Sequence, residues 1–225
     1  MNPTVSALLG FLIYVLVVFV ARSWLQRRRT GDAGFRGISG RPGSLEWLGG
    51  AAFIVALIGF PSGMTLDLVG LPPFWDGEIT RFAVPLGAIL AISGAVGCLI
   101  AQLGMGAEWR IGVDSDERTG LITAGLFRWM RNPVFSFMVV SGCGLLLIVP
   151  NVLTLWSLVL VIVAIELQVR LVEEPYLLRT HPAEFRQYAA RTGRFLPVIG
   201  RLAADVGGPT EDSARPQPLI DKADS

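Results

Sequence analysis

The chain is poor in the residues that build metal centres and hydrolytic sites. It has one histidine, His181, and two cysteines, Cys98 and Cys143, among its 225 residues, and their spacing does not resemble a metal site. A serine–histidine–aspartate triad would have to use His181, and no serine motif accompanies it. We therefore expect neither a metal nor a triad hydrolase.

Charged residues are also scarce. They make up 16% of the chain, whereas a soluble domain carries about 25%. The net charge of +1 gives no reason to expect nucleic acid as a partner. Hydrophobic residues make up 52% of the chain, so the composition favours a membrane over water as its solvent.

Long apolar runs account for this composition. A helix needs roughly 20 apolar residues to cross the hydrocarbon core of a bilayer. Five runs approach that length, at residues 4–21, 45–71, 82–103, 133–149 and 152–172. The pattern predicts an all-α integral membrane protein with five transmembrane helices, of which the fourth is short.

The distribution of Lys and Arg predicts the orientation. If the N-terminus is outside, 18 of the 19 cations lie in the cytoplasm, and only Arg81 lies outside. We therefore predict an N-out, C-in, multi-pass protein of the plasma (inner) membrane. Residues 1–103 would form three spans with a cytoplasmic loop at 22–44, residues 104–200 a functional core, and residues 201–225 a disordered cytoplasmic tail.

Runs four and five are separated only by Pro150 and Asn151, which predicts a tight antiparallel hairpin over residues 133–172 with cytoplasmic flaps around it. The hairpin brings residues 128–132 opposite residues 170–174 at the cytoplasmic edge of the membrane. Glu173 and Glu174 lie at a C-terminal helix end, where the helix dipole disfavours carboxylates, and this favours a functional role. The i,i+4 spacing of Glu166 and Arg170 is typical of an ion pair that anchors the helix end.

Asn132 and Pro133 are typical of a helix start, with Asn132 as the N-cap and Pro133 in the first turn. The free backbone amides of such a start can also bind a carboxylate or a phosphate. We expect a substrate to reach this place laterally from the bilayer, along an apolar wall of Phe137, Met138, Leu167 and Leu171.

The order of motifs between residues 104 and 197 resembles the isoprenylcysteine carboxyl methyltransferase family and its bacterial relatives. A Gly-aromatic turn at 119–127 precedes Arg-Asn-Pro-Val-Phe at 131–135. Glu-Glu-Pro-Tyr at 173–176 follows, and then a Tyr-bearing helix and an Arg-to-Leu-Pro segment at 185–197. Asn132 stands where the family has histidine, and Phe127 and Phe135 replace tyrosines. Asparagine can donate a hydrogen bond but cannot titrate near neutral pH.

The resemblance implies a methyltransferase that uses S-adenosyl-L-methionine and acts on a lipid-like acceptor in the membrane, such as the carboxylate of a prenyl-cysteine. It implies catalytic roles for Arg170 and Asn132. The residues that it assigns to cofactor binding are Thr119, Gly120, Leu121, Ile122, Phe127, Arg131, Asn132, Pro133, Val134, Phe135, Glu173 and Glu174.

Two other functions stay open. A membrane NADPH-dependent reductase of the steroid-reductase type has a similar hairpin, although its dinucleotide would call for more polar contacts than residues 110–131 offer. The second open function is that of a non-enzymatic membrane scaffold or a transporter subunit. A transporter usually shows broken helices or charges in mid-membrane, whereas here the polar groups gather at one edge.

Overall fold

The computed structural model describes residues 2–110, 112 and 120–203. Within this part of the chain the regular secondary structure is helical, without a strand. The main helices are α1 (Pro3–Thr30), α2 (Leu45–Leu68), α3 (Glu78–Gly104), α4 (Pro133–Ile148), α5 (Val152–Thr180) and α6 (Pro182–Arg191). Helix α1 contains a π-helical stretch at Leu16–Ala21, and α5 contains one at Gln168–Glu173.

Four of these helices, α1, α2, α3 and α5, are long and apolar enough to cross a membrane. This confirms the prediction of an all-helical, multi-pass membrane protein. Helix α4 is equally apolar but has only 16 residues, so it spans about 24 Å, less than the roughly 30 Å of a hydrocarbon core. It begins at Pro133, which suits the first helical position, and ends just before Pro150.

Helix α1 continues beyond the apolar run, through residues 22–30 of the segment predicted as a loop. Arg22 and Gln26 are both buried on this extension. Nη2 of Arg22 donates to the Gly106 carbonyl oxygen at 2.7 Å, and Nε2 of Gln26 donates to the Ala107 carbonyl oxygen. These bonds join the end of α1 to the segment after α3, which explains why the helix does not stop at the end of its apolar run.

Close approach at small residues pairs the helices. In the α3–α4 pair, Gly94 lies against Ser141 and Gly97 against Phe137. The reversed order of these contacts shows that the two helices are antiparallel. Helices α2 and α5 pack in the same manner, with Gly63 against Thr154. The predicted hairpin helices, α4 and α5, therefore make most of their contacts with α3 and α2, and fewer with each other.

The two ends of the bundle differ in character. At one end, Thr4 Oγ1 donates to Asp67 Oδ2 at 2.7 Å, and the side chain of Asn151 caps α5 while its Nδ2 donates to the Gly63 carbonyl oxygen at 2.9 Å. The opposite end holds the C-terminal ends of α1 and α3, the start of α4 and all of α6. The segments that sequence analysis singled out for function meet at this second end.

Candidate active site at one end of the bundle

A cavity of about 300 Å³ lies at this second end. Eleven of the site residues predicted from the sequence line it: Gly120, Leu121, Ile122, Phe127, Arg131, Asn132, Pro133, Val134, Phe135, Glu173 and Glu174. They come from the segment before α4, the first turn of α4 and the far end of α5. The fold thus brings together residues that lie more than 50 positions apart in the sequence.

Two predicted site residues are not among them. Thr119 lies outside the described residues. Arg170 does not line the cavity, because its side chain is 55% exposed on the outer face of α5 and pairs with Glu166. The Glu166–Arg170 ion pair predicted from the sequence is therefore present, although α5 continues beyond it to Thr180. The catalytic role of Arg170 stays a prediction.

Glu174 is buried in an ion network. Its Oε1 accepts hydrogen bonds from Arg131 Nη2 and Arg194 Nε, and its Oε2 accepts one from Arg194 Nη2, each at 2.8 Å. Arg131 also donates to the carbonyl oxygens of Ala189 and Thr192. The hydrogen bonds that Arg194 donates to Glu174 raise the pKa of Arg194. Although Arg131 and Glu174 both touch the cavity, their polar atoms are largely engaged in fixing the C-terminal segment.

The C-terminal segment crosses the start of α4. The backbone amides of Arg131 and Asn132 donate to the carbonyl oxygens of Gly193 and Arg194 at 2.8 and 3.0 Å. The Asn132 side chain also donates to the Arg194 carbonyl oxygen, at 3.2 Å, instead of capping the helix. Residues 193–194 therefore hold the turn from which α4 begins, and Val134 in the first turn of α4 lines the cavity. The first backbone amides of a helix have no partner within that helix.

Glu173 has a different environment from its neighbour. It lines the cavity, and protein surrounds its carboxylate on the other sides. Gln168 forms a hydrogen bond with it, and the positive charge of Arg110 acts on it. Arg110 in turn lies over the ring of Tyr176, with 5.0 Å from its Cζ to the ring centre. The result is a carboxylate on a residue of the cavity wall, with a cation near it that lies over an aromatic ring.

Aromatic side chains that the sequence did not assign to the site form much of its wall. Trp109, Tyr176, Phe185 and Tyr188 line the cavity and are buried. The hydroxyl of Tyr188 donates to the Phe127 carbonyl oxygen at 2.6 Å, and burial raises the pKa of this phenol. Tyr176, Phe185 and Tyr188 belonged to the family-like motifs, so their position in those motifs was the available signal. The N-terminal helices also contribute, with Phe19 from α1 and Phe53 from α2.

A second, apolar cavity of about 490 Å³ lies deeper among the helices. It is lined by residues of α1, α2, α3 and α4 with one residue of α5, and Phe19, Phe53 and Met138 line both cavities. Of the four residues expected from the sequence to form an apolar wall, only Met138 lines these cavities. Phe137 instead packs against Gly97 and Leu167 against Gly49. We refer to the second cavity as the intramembrane groove.

Residues 82–184 match the family model described as phospholipid methyltransferase. No curated protein matched the chain. The matched region contains α3 from residue 82 onward, all of α4 and α5, and the first residues of α6. It therefore includes the turn at Asn132 and the carboxylate of Glu173. The sequence-based assignment to a family of membrane methyltransferases is confirmed by this match. Residues 82–184, which build most of the site, are thus similar to the phospholipid methyltransferase family.

Proposed function

We propose that the protein transfers a methyl group from S-adenosyl-L-methionine to a lipophilic acceptor held in the membrane. The observation that carries this proposal is that two cavities share the lining residues Phe19, Phe53 and Met138 in a chain that matches a methyltransferase family. One cavity is lined by charged, polar and aromatic groups at the cation-rich end of the bundle, and the other is an apolar groove. A polar cofactor and an apolar acceptor can meet where they join.

The residues around the first cavity fit S-adenosyl-L-methionine. Glu173 would hold the ammonium group, and Arg110 or the first-turn amides of α4 would hold the carboxylate. The aromatic faces of Phe127 and Tyr176 would lie against the adenine. When bound, the cofactor supplies a methyl group activated by a sulfonium. A volume of about 300 Å³ lies at the lower end of the range for ligand pockets.

The chain's own contribution to catalysis is placement. An acceptor carboxylate is ionised at neutral pH and needs no base, so holding it in line with the methyl group can supply most of the acceleration. This suits a site that has Asn132, rather than histidine, at the turn. Of the two residues proposed as catalytic, Asn132 lines the cavity and is the better placed, while Arg170 faces outward.

The intramembrane groove supports a lipophilic acceptor. Its apolar lining would take up a hydrocarbon chain and leave the reactive head at the residues shared by both cavities, Phe19, Phe53 and Met138. A charged nucleotide would have to enter from the cytoplasm, because moving charge through apolar helices is costly. The two reactants would thus arrive from different phases.

We further propose that α4 is a fifth crossing, with the N-terminus outside and the site at the cytoplasmic face of the inner membrane. Antiparallel packing of α4 on α3 supports this, since the start of α4 lies at the same end as the end of α3. The site end also carries Arg27, Arg28 and Arg29 in the last turn of α1, as the positive-inside rule requires of a cytoplasmic end.

Ligand-dependent thermal stabilisation of the purified protein in detergent tests the proposal. S-adenosylhomocysteine at 100 times its Kd should stabilise the fold by about 2.7 kcal/mol, and NADPH should leave the Tm unchanged. Stabilisation by NADPH alone would favour the reductase. If neither ligand shifts the Tm, the non-enzymatic scaffold becomes the better interpretation.

A further inference from the structure

Gln102, near the end of α3, has a buried amide oxygen that the fold itself does not use. Its side chain is 2% exposed and lines the first cavity. Among the described residues, its Oε1 has no hydrogen-bond partner. A buried acceptor without a partner lowers the stability of a protein, so its presence at a cavity wall points to a ligand that supplies the partner.

Gln26 provides a matched comparison within the same chain. It is equally buried, at 3% exposure, but its amide is satisfied on both sides. Its Oε1 accepts from Arg22 Nη1 at 3.0 Å, and its Nε2 donates to the Ala107 carbonyl oxygen. Gln26 therefore has the bonding of a structural glutamine, and Gln102 does not.

The position of Gln102 indicates which ligand it contacts. Ala88, Ala91 and Ala95 of α3 line the intramembrane groove. Gln102 follows Ala95 by seven residues, which is about two helical turns and returns to the same face. Along this face the lining changes from small apolar side chains in the groove to an amide in the first cavity. The end of an acceptor chain that fills the groove would lie beside this amide.

We infer that Gln102 binds the head group of the methyl acceptor through a hydrogen bond that its amide oxygen accepts. This inference rests on the proposed function. The ligand must then carry an N–H or O–H donor close to the methyl-accepting atom, as a lipid-linked amino acid does beside its carboxylate. In the proposed function Glu173 and Arg110 would hold the charged groups of the cofactor, which leaves Gln102 to distinguish among acceptors.

The test compares Gln102→Leu with Gln26→Leu, each in phosphatidylcholine nanodiscs. Leucine is close to glutamine in size but cannot form hydrogen bonds. Three quantities are measured: the Tm, the Kd of S-adenosylhomocysteine, and thermal stabilisation by dodecanol or by dodecyl methyl ether dissolved in the bilayer. The two probes share one chain, but only the alcohol has a hydrogen-bond donor.

We expect Gln102→Leu to keep or raise the Tm, because an unpartnered polar group is removed. The Kd of S-adenosylhomocysteine should stay within about twofold, dodecanol binding should weaken about tenfold, which corresponds to one hydrogen bond, and ether binding should not change. Gln26→Leu should lower the Tm, since it removes satisfied hydrogen bonds.

Several results would overturn the inference. Weaker S-adenosylhomocysteine binding by Gln102→Leu would assign the residue to the cofactor, and a lower Tm would make it structural. Equal losses for the alcohol and the ether, or a wild-type protein that does not prefer the alcohol, would show that the amide recognises no donor. Failure of the wild-type protein to bind S-adenosylhomocysteine would instead contradict the proposed function, and the two failures are therefore distinguishable.

Discussion

Glu173 and Glu174 are neighbours whose carboxylates have different surroundings, and this difference predicts different phenotypes. Glu173 lines the cavity, where we propose that it forms a charge-assisted hydrogen bond with the cofactor's ammonium. Glu173→Gln should therefore weaken S-adenosylhomocysteine binding by about 1.5–3 kcal/mol, or roughly 10- to 150-fold, with little change in Tm. Isothermal titration would measure the affinity. Arg170→Ala, on the exposed face of the same helix, is the control and should leave that affinity unchanged.

Glu174→Gln should instead act on stability. The substitution leaves Arg131 and Arg194 without their common carboxylate, and Arg131 is only 6% exposed. Removing one partner of a buried ion network costs about 3 kcal/mol or more. Thermal unfolding should show a clear drop in Tm. A Glu174→Gln protein with the wild-type Tm and weakened cofactor binding would mean that Glu174 belongs to the binding site rather than to the internal network.

At the scale of single residues, motif order predicted which residues lie together but not how each is used. The turn at Asn132 and the carboxylate of Glu173 do line one cavity. The role of Glu174 could not be inferred, because its partner Arg194 is 20 positions away and reaches it only through the path of the C-terminal segment. Gln102 was missed for a related reason, since an unsatisfied amide is visible only once its surroundings are known.

At the scale of whole helices, close contacts at glycines determine how the helices pack. Helix α4 positions the Asn132 turn against α3, and the two approach closely at Gly144, where an added Cβ would lie 2.4 Å from the Ala91 backbone nitrogen. Gly144→Ala should force the helices apart and destabilise the protein by about 1–3 kcal/mol. Gly10→Ala is the control, because no atom lies within 4 Å of its added Cβ. It should be neutral or slightly stabilising in a thermal unfolding experiment, and equal Tm losses for both variants would contradict this explanation.

The apolar runs in the sequence predicted the positions of the helices better than they predicted which helices pack together. The apolar run at 45–71 corresponds to the helix Leu45–Leu68, and the run at 82–103 lies within the helix Glu78–Gly104. A segment in lipid must satisfy its own backbone hydrogen bonds, and a helix does so. Which helices pair is a property of their surfaces. Gly94 and Ser141 indicated close approach in the sequence, but not that they would meet each other rather than α5.

For the whole molecule, the proposed topology predicts the side of each loop. Reporter fusions after Gly40, Asp76, Asp116, Asn151 and Gly207 should read in, out, in, out and in, because this arrangement leaves 18 of the 19 cations in the cytoplasm. Fusions after Asp116 and Asn151 test α4 directly. If both report the same side, α4 does not cross the membrane. A cytoplasmic signal after Asp76 would contradict the predicted orientation.

The junction of the two cavities predicts that activity depends on the length of the acceptor chain. In a series of N-acetyl-S-alkylcysteines, each methylene buried in the intramembrane groove adds up to about 0.8 kcal/mol, or about fourfold in kcat/KM, until the groove is full. Ala88→Phe should remove this gain for long chains and spare short ones, because Ala88 lines the groove. Ile89→Phe, on the next residue, faces outward with 64% exposure and should keep the wild-type profile. The acceptor does not occupy the groove if kcat/KM does not change with chain length, or if both variants lose the long-chain gain alike. In either case, a small soluble acceptor in the first cavity would be the better interpretation.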